Sequence, residues 1–175
     1  MKNKKKLVIF IDSGDTIIDE ATQVFDDKGI VIKASFIEGA QAGIRQLFEA
    51  GHRIALVADG EVDSFENVYN NDIREYFEGW IISETVGLQK PEPIMFETAM
   101  EALSLTDEDK SRVVMVGNNL RKDIKGGNNF GIKTIWMDWS PRYFQEIEQE
   151  DWRPDYRATT MKDLLDVLDK IEREL

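Results

Sequence analysis

The sequence predicts an open α/β sheet, mainly parallel, with helices on both faces. Two observations predict it. Short apolar runs alternate with amphipathic stretches, as when parallel strands are joined by crossover helices. No repeat, low-complexity tract or linker interrupts that alternation. One sheet therefore accounts for residues 1–175 as a single domain, and a chain that is 42% hydrophobic can build its core.

The elements follow in order. Leu7-Val8-Ile9-Phe10-Ile11 is an uninterrupted apolar run of strand length and reads as a buried strand. Residues 23–34 read as a small hairpin turning at Asp26-Asp27-Lys28-Gly29. Residues 40–49 read as a helix ended by Gly51, and 53–57 as the second strand. A helix over 64–77 and a short strand over 80–82 come next. Pro91 sets up a helix over 94–103, and Thr106-Asp107-Glu108-Asp109 is a polar turn. The strand 113–116 runs into Gly117, followed by a helix over 120–130 and a strand over 133–137. Residues 152–158 read as a loop and short edge strand. A terminal helix over 160–175 carries Leu164, Leu165, Leu168 and Ile171 on one face.

Composition narrows the function classes. No apolar run approaches the roughly 20 residues of a membrane span, so no membrane partner is expected. Lys2, Lys4, Lys5 and Lys6 resemble the start of an export signal, but the apolar stretch behind them stops at Asp12 without a cleavage-like site. Cysteine is absent, which removes disulfides and thiolate metal sites. A net charge of −12 argues against nucleic acid as a partner and suits a soluble cytoplasmic protein. The single histidine, His52, reads as a surface residue at a strand start. Trp136, Trp139 and Tyr143 read as packing residues in preference to a substrate platform.

In such sheets ligands bind outside the carboxyl ends of the strands, at the switch point in strand order. Residues 12–16, 58–60, Lys90 and 117–123 occupy those ends. Four stretches there stand out. They are Phe10-Ile11-Asp12-Ser13-Gly14-Asp15-Thr16-Ile17-Ile18-Asp19, Ile54-Ala55-Leu56-Val57-Ala58-Asp59-Gly60, Gly87-Leu88-Gln89-Lys90-Pro91-Glu92-Pro93-Ile94-Met95-Phe96, and Val116-Gly117-Asn118-Asn119-Leu120-Arg121-Lys122-Asp123-Ile124-Lys125-Gly126. In order and over the full length, they resemble the four motifs of the haloacid dehalogenase (HAD) superfamily.

The resemblance implies a Rossmann-like fold and a phosphoryl chemistry with assigned roles. Asp12 matches the nucleophile, whose carboxylate attacks phosphorus to form an aspartyl-phosphate. Lys90 would neutralise phosphoryl charge and steady Asp12. Mg²⁺, a hard cation that takes oxygen ligands, would be held by the Asp12 carboxylate, the Gly14 carbonyl and the Asn118 side chain, with Asp123 behind them. Backbone N–H groups at Ser13, Ala58 and Asp59, with Lys90, would bind the phosphoryl oxygens.

Departures from the family pattern carry as much information. Gly14 stands where the phosphatases have an acid that protonates the leaving group and later activates water. That proton transfer is worth about 10²–10⁴-fold. Asp15, next door, is the candidate to replace it. Ala58 lacks the hydroxyl that usually grips the phosphoryl group, and Asn118 replaces a metal-binding carboxylate. About forty residues separate Asp12 from Arg53, too few for a large cap domain, so the chain resembles a capless member with a small β-hairpin flap. Apolar Val24, Phe25, Ile30 and Ile32 suit that flap to a lid or to a homo-oligomer contact. The leading reading is a Mg²⁺-dependent phosphohydrolase, slow or favouring good leaving groups. Its substrate would be a phosphorylated small molecule or a macromolecular phosphoester. The alternative is a catalytically weak domain that binds a phosphorylated ligand or a protein partner.

Overall fold

The computed structural model describes residues 5–175, so Lys2 and Lys4 of the N-terminal lysine cluster lie outside the described residues. Its central strand is β1 (Val8–Ile11). A hairpin of β2 (Ile18–Phe25) and β3 (Val31–Phe36) follows, then α1 (Ala40–Glu49) and β4 (Arg53–Ala58). Next come α2 (Val62–Tyr69), β5 (Gly79–Ile82), α3 (Ser83–Val86), α4 (Pro93–Ala102) and β6 (Val113–Gly117). The chain continues through a π-helical turn (Leu120–Ile124), α5 (Lys125–Phe130), β7 (Lys133–Met137), β8 (Tyr156–Ala158) and α6 (Met161–Arg173). The six-stranded sheet has the order β5-β4-β1-β6-β7-β8, and every pairing in it is parallel. The chain builds outward from β1 to one side and then returns to β6 on the other. The switch point is therefore the crevice beyond β1 and β6.

Burial on both faces explains why β1 is uninterruptedly apolar. Leu7, Ile9 and Ile11 point into one core, shared with Ile44 of α1, Tyr69 of α2, and Leu164 and Leu168 of α6. Val8 and Phe10 point into the other, with Met95, Phe96 and Ala99 of α4. The hairpin forms its own two-stranded antiparallel sheet. It is stitched to α2, where Ser64 Oγ accepts from Val31 N–H at 3.0 Å and Asn67 Nδ2 donates to the Val31 carbonyl at 3.0 Å.

Several expectations shift. The helix expected over 64–77 ends at Tyr69 and resumes as a short 3₁₀ turn (Arg74–Tyr76), because Asn70-Asn71-Asp72 favours turns over helix interior. The helix expected over 120–130 is split into the π-helical turn and α5. The proline that opens α4 is Pro93. The buried stripe of α6 is Met161, Leu164, Leu168 and Ile171, with Leu165 only partly buried. His52 is not a surface residue: it is 7% exposed, with its Nε2 3.5 Å from Glu172, because α6 covers the start of β4.

Candidate active site

Asp12 leaves β1 with its N–H bonded to the Val116 carbonyl at 2.9 Å, which ties the first loop to β6. The loop then folds on itself. The N–H groups of Thr16, Ile17 and Ile18 converge on the Ser13 carbonyl, and Asp15 adopts a left-handed φ of 48°. Ser13 Oγ lies 2.6 Å from the Tyr69 hydroxyl and its carbonyl accepts within the loop, which leaves the Ser13 N–H for any ligand.

Lys90 is the electrostatic centre. It is 3% exposed, and its Nζ lies 2.7 Å from Asp12 Oδ1, 2.7 Å from Asp123 Oδ1 and 2.7 Å from the Val57 carbonyl. Burial would lower the Lys90 ammonium, but the carboxylates of Asp12, Asp123 and Asp59 outweigh it and hold it above its ordinary value. Burial, reinforced by Asp12, pushes the Asp123 carboxyl up, while Lys90 and the Asn119 N–H pull it back. Gly117 permits this approach, since a Cβ there would meet Asp123 Cγ at 2.3 Å.

The fourth loop divides its two asparagines between different tasks. Asn119 caps the π-helical turn, accepting from the N–H groups of Arg121 at 3.0 Å and Lys122 at 3.2 Å. Asn118 is 4% exposed, and neither atom of its side-chain amide has a hydrogen-bond partner among the described residues. Trp136 holds this segment by donating to the Asn118 carbonyl at 3.0 Å. Asp59 spends its side chain on scaffolding, accepting from Lys90 N–H at 3.0 Å and from Lys122 Nζ at 2.9 Å. Ala58 is buried at the end of β4.

A cavity of about 280 Å³ gathers Asp12, Ser13, Gly14, Asp59, Lys90, Asn118 and Asp123. Its outer wall includes Gln23, Phe25, Gly29 and Val31, so the hairpin borders the site as expected for a flap. Asp15 is the candidate that the fold does not bring there. It is fully buried, and its carboxylate accepts from Glu20 N–H at 3.0 Å, Ser140 Oγ at 3.1 Å and Arg142 Nε at 2.6 Å. It anchors the segment after β7 instead of facing Asp12.

Among the other residues that reach the cavity, three add polar groups without having been given a role from the motifs. Lys122 adds a second cation, Glu20 of β2 adds a carboxylate, and Tyr143 comes from the segment after β7. Tyr143 was expected to be a packing residue, but its hydroxyl reaches the two Glu20 oxygens at 2.8 and 3.0 Å. Burial raises the Glu20 carboxyl, the Tyr143 bond lowers it, and Asp15 and Asp12 raise it further. Lys122 was visible within the fourth motif. Glu20 and Tyr143 carried no local signal.

The donors present fit Mg²⁺. Asn118 Oδ1 is a desolvated acceptor without a partner, in the same cavity as the Asp12 carboxylate and the Gly14 backbone. An orphaned acceptor costs about 1–3 kcal/mol, which an oxygen-seeking cation would offset. Among the described residues, no cluster of three acidic or histidine side chains could hold a metal, so such a site relies on amide and carbonyl oxygens beside one carboxylate.

Fold and cavity thus define a class of protein: a parallel α/β sheet that gathers an aspartate and a buried lysine at its switch point. The haloacid dehalogenase-like hydrolase family model matches residues 8–137, and the chain belongs to that family. It is 29% identical over 135 residues to a glyceraldehyde 3-phosphate phosphatase of Pyrococcus furiosus, covering 77% of this chain and 55% of the relative. It is 32% identical over 132 residues to the pyrophosphatase PpaX of Halalkalibacterium halodurans, covering 75% of this chain and 59% of the relative. The chain therefore spans little more than half the length of these curated relatives. Its fold also matches the HAD-hydrolase YfnB of Bacillus subtilis, solved bound to magnesium. That match has a TM-score of 0.75 at 16% identity and covers 95% of this chain and 100% of that one. Among the described residues, no helix is long and apolar enough to cross a membrane.

Proposed function

We propose that this chain is a Mg²⁺-dependent phosphohydrolase that works through an aspartyl-phosphate on Asp12, acting as one domain in the cytoplasm. The observation that carries the reading is the Asp12 carboxylate held 2.7 Å from the buried Lys90 ammonium at the floor of a small cavity. Lys90 keeps Asp12 oriented and brings positive charge to phosphoryl oxygens that gain negative charge as the bond to Asp12 forms. Mg²⁺, held by Asp12, the Gly14 carbonyl and Asn118, would supply further charge neutralisation. Asp123 holds Lys90 from the far side. The relatives named as phosphatases and as a pyrophosphatase support a phosphorylated small molecule as substrate. The cavity size supports it as well.

A second reading is favoured by Gly14, Ala58 and Asn118, which depart from the family pattern. It is a domain that binds a phosphorylated ligand or a protein partner with little turnover. A panel of phosphate esters and anhydrides, assayed with and without Mg²⁺ beside Asp12→Asn, separates the two. The phosphohydrolase shows metal-dependent turnover that the variant loses. Ester binding without turnover would establish the second reading.

A further inference from the structure

Resting on the phosphohydrolase reading, we propose that Glu20 performs the proton transfers that Gly14 cannot, because its carboxylate occupies the space a side chain at position 14 would fill. The geometry is direct. A Cβ built on Gly14 would lie 1.9 Å from Glu20 Oε1, 2.7 Å from its Cδ and 2.9 Å from its Cγ. A side chain at 14 would therefore displace the Glu20 carboxylate from this position. The acid missing from the first loop is replaced by one that enters from β2, and glycine at 14 is the condition for its entry.

Its placement is enforced by the fold. Asp15 N–H bonds to the Ile18 carbonyl at 2.7 Å, and Glu20 N–H bonds to Asp15 Oδ1 at 3.0 Å, which sets the start of β2 against the nucleophile loop. Tyr143 bonds the Glu20 carboxylate, and Arg142 Nε lies 3.5 Å from Oε2. Asp15 and Arg142, paired at 2.6 Å, are positioning residues that act through Glu20. Tyr143 and Arg142 hold this half-buried carboxylate beside Asp12 and Asp15, whose like charges oppose it. Local choices that oppose stability are expected at functional sites.

The chemistry balances with this one group. An Asp12 oxygen bonds to phosphorus while the ester P–O bond breaks, and protonated Glu20 gives its proton to the departing oxygen. The Glu20 carboxylate then takes a proton from water as the water oxygen bonds to phosphorus. The P–O bond to Asp12 breaks, phosphate leaves, and Glu20 is protonated again. The sum is ester plus water to alcohol plus phosphate.

The test compares wild type, Glu20→Gln, Asp12→Asn and the double variant Gly14→Asp/Glu20→Ala on alkyl phosphates and on aryl phosphates of graded leaving-group pKa. Wild type should show a shallow dependence on that pKa. Glu20→Gln should lose about 10²–10⁴-fold on alkyl phosphates and far less on the most activated aryl phosphates, and it should accumulate phosphoenzyme. The double variant, which returns a carboxylate to position 14, should recover alkyl phosphate hydrolysis. An equal loss on every substrate in Glu20→Gln, or no loss, overturns the role of Glu20 while turnover lost in Asp12→Asn sustains the phosphohydrolase reading. No turnover in wild type, or turnover that persists in Asp12→Asn, overturns both.

Discussion

Lys90 shows how closely stability and chemistry are joined at single residues. Its ammonium serves two carboxylates, Asp12 and Asp123, at 2.7 Å each, and all three belong to the site. Removing one partner from a buried ionic network costs about 3–5 kcal/mol, because uncompensated charge is left behind. Lys90→Met should therefore lower the unfolding free energy from urea titration by that amount, and Lys90→Met/Asp123→Asn should recover part of it. A Lys90→Met protein as stable as wild type would mean that the carboxylates need no shared cation. Asn118 offers a second residue-scale test. Its amide oxygen is a neutral donor where the family pattern has a carboxylate, so Asn118→Asp should tighten Mg²⁺ binding in calorimetry. Equal or weaker affinity would count against the ligand set of Asp12, Gly14 and Asn118.

Legibility depends on the element concerned. The strands of the main sheet were readable because burial on both faces makes them continuous apolar runs, as in Val8–Ile11 and Val113–Gly117. The hairpin was only half readable. Its first strand begins at Ile18, but Asp19-Glu20-Ala21-Thr22 gives no clean alternation, so it appeared to start at residue 23. That gap concealed Glu20, whose role arises from contact with Gly14 across a fold that spacing does not encode. The placement of Asp15 was hidden for a related reason: with a left-handed backbone it is buried against Arg142, outside the cavity. The hairpin carries its own prediction. Phe25 stands over the cavity with Val31, Phe65 and Val68. Losing an apolar contact of about 1 kcal/mol with the remote part of a substrate raises KM roughly fivefold. Phe25→Ala should therefore raise KM to that extent with kcat nearly unchanged. A fall in kcat at constant KM would place Phe25 nearer the reacting atoms.

At the scale of the whole molecule, α6 closes the core face that faces β1 and covers the start of β4. It brings Glu172 to Lys6 at 2.7 Å and to His52 Nε2 at 3.5 Å. Burial lowers the His52 pKa chiefly through desolvation; Glu172 raises it, Lys6 lowers it, and the Leu7 backbone contact and Asp169 raise it. The sign of the linkage follows. In the unfolded chain His52 takes up a proton near its ordinary pKa of about 6.5, whereas the folded protein resists that proton until lower pH. Between those values the unfolded state binds more protons, so His52 withdraws stability as pH falls through 6.5 toward the folded pKa. Asp123, whose carboxyl is pushed up by burial, changes stability in the opposite sense over the same range, and it is common to wild type and variant. The informative quantity is therefore the difference between wild type and His52→Gln. Urea midpoints measured at pH 7.5 and 5.5 should fall further for wild type than for His52→Gln. Equal falls would mean that α6 leaves His52 as free to protonate in the folded protein as in the unfolded chain.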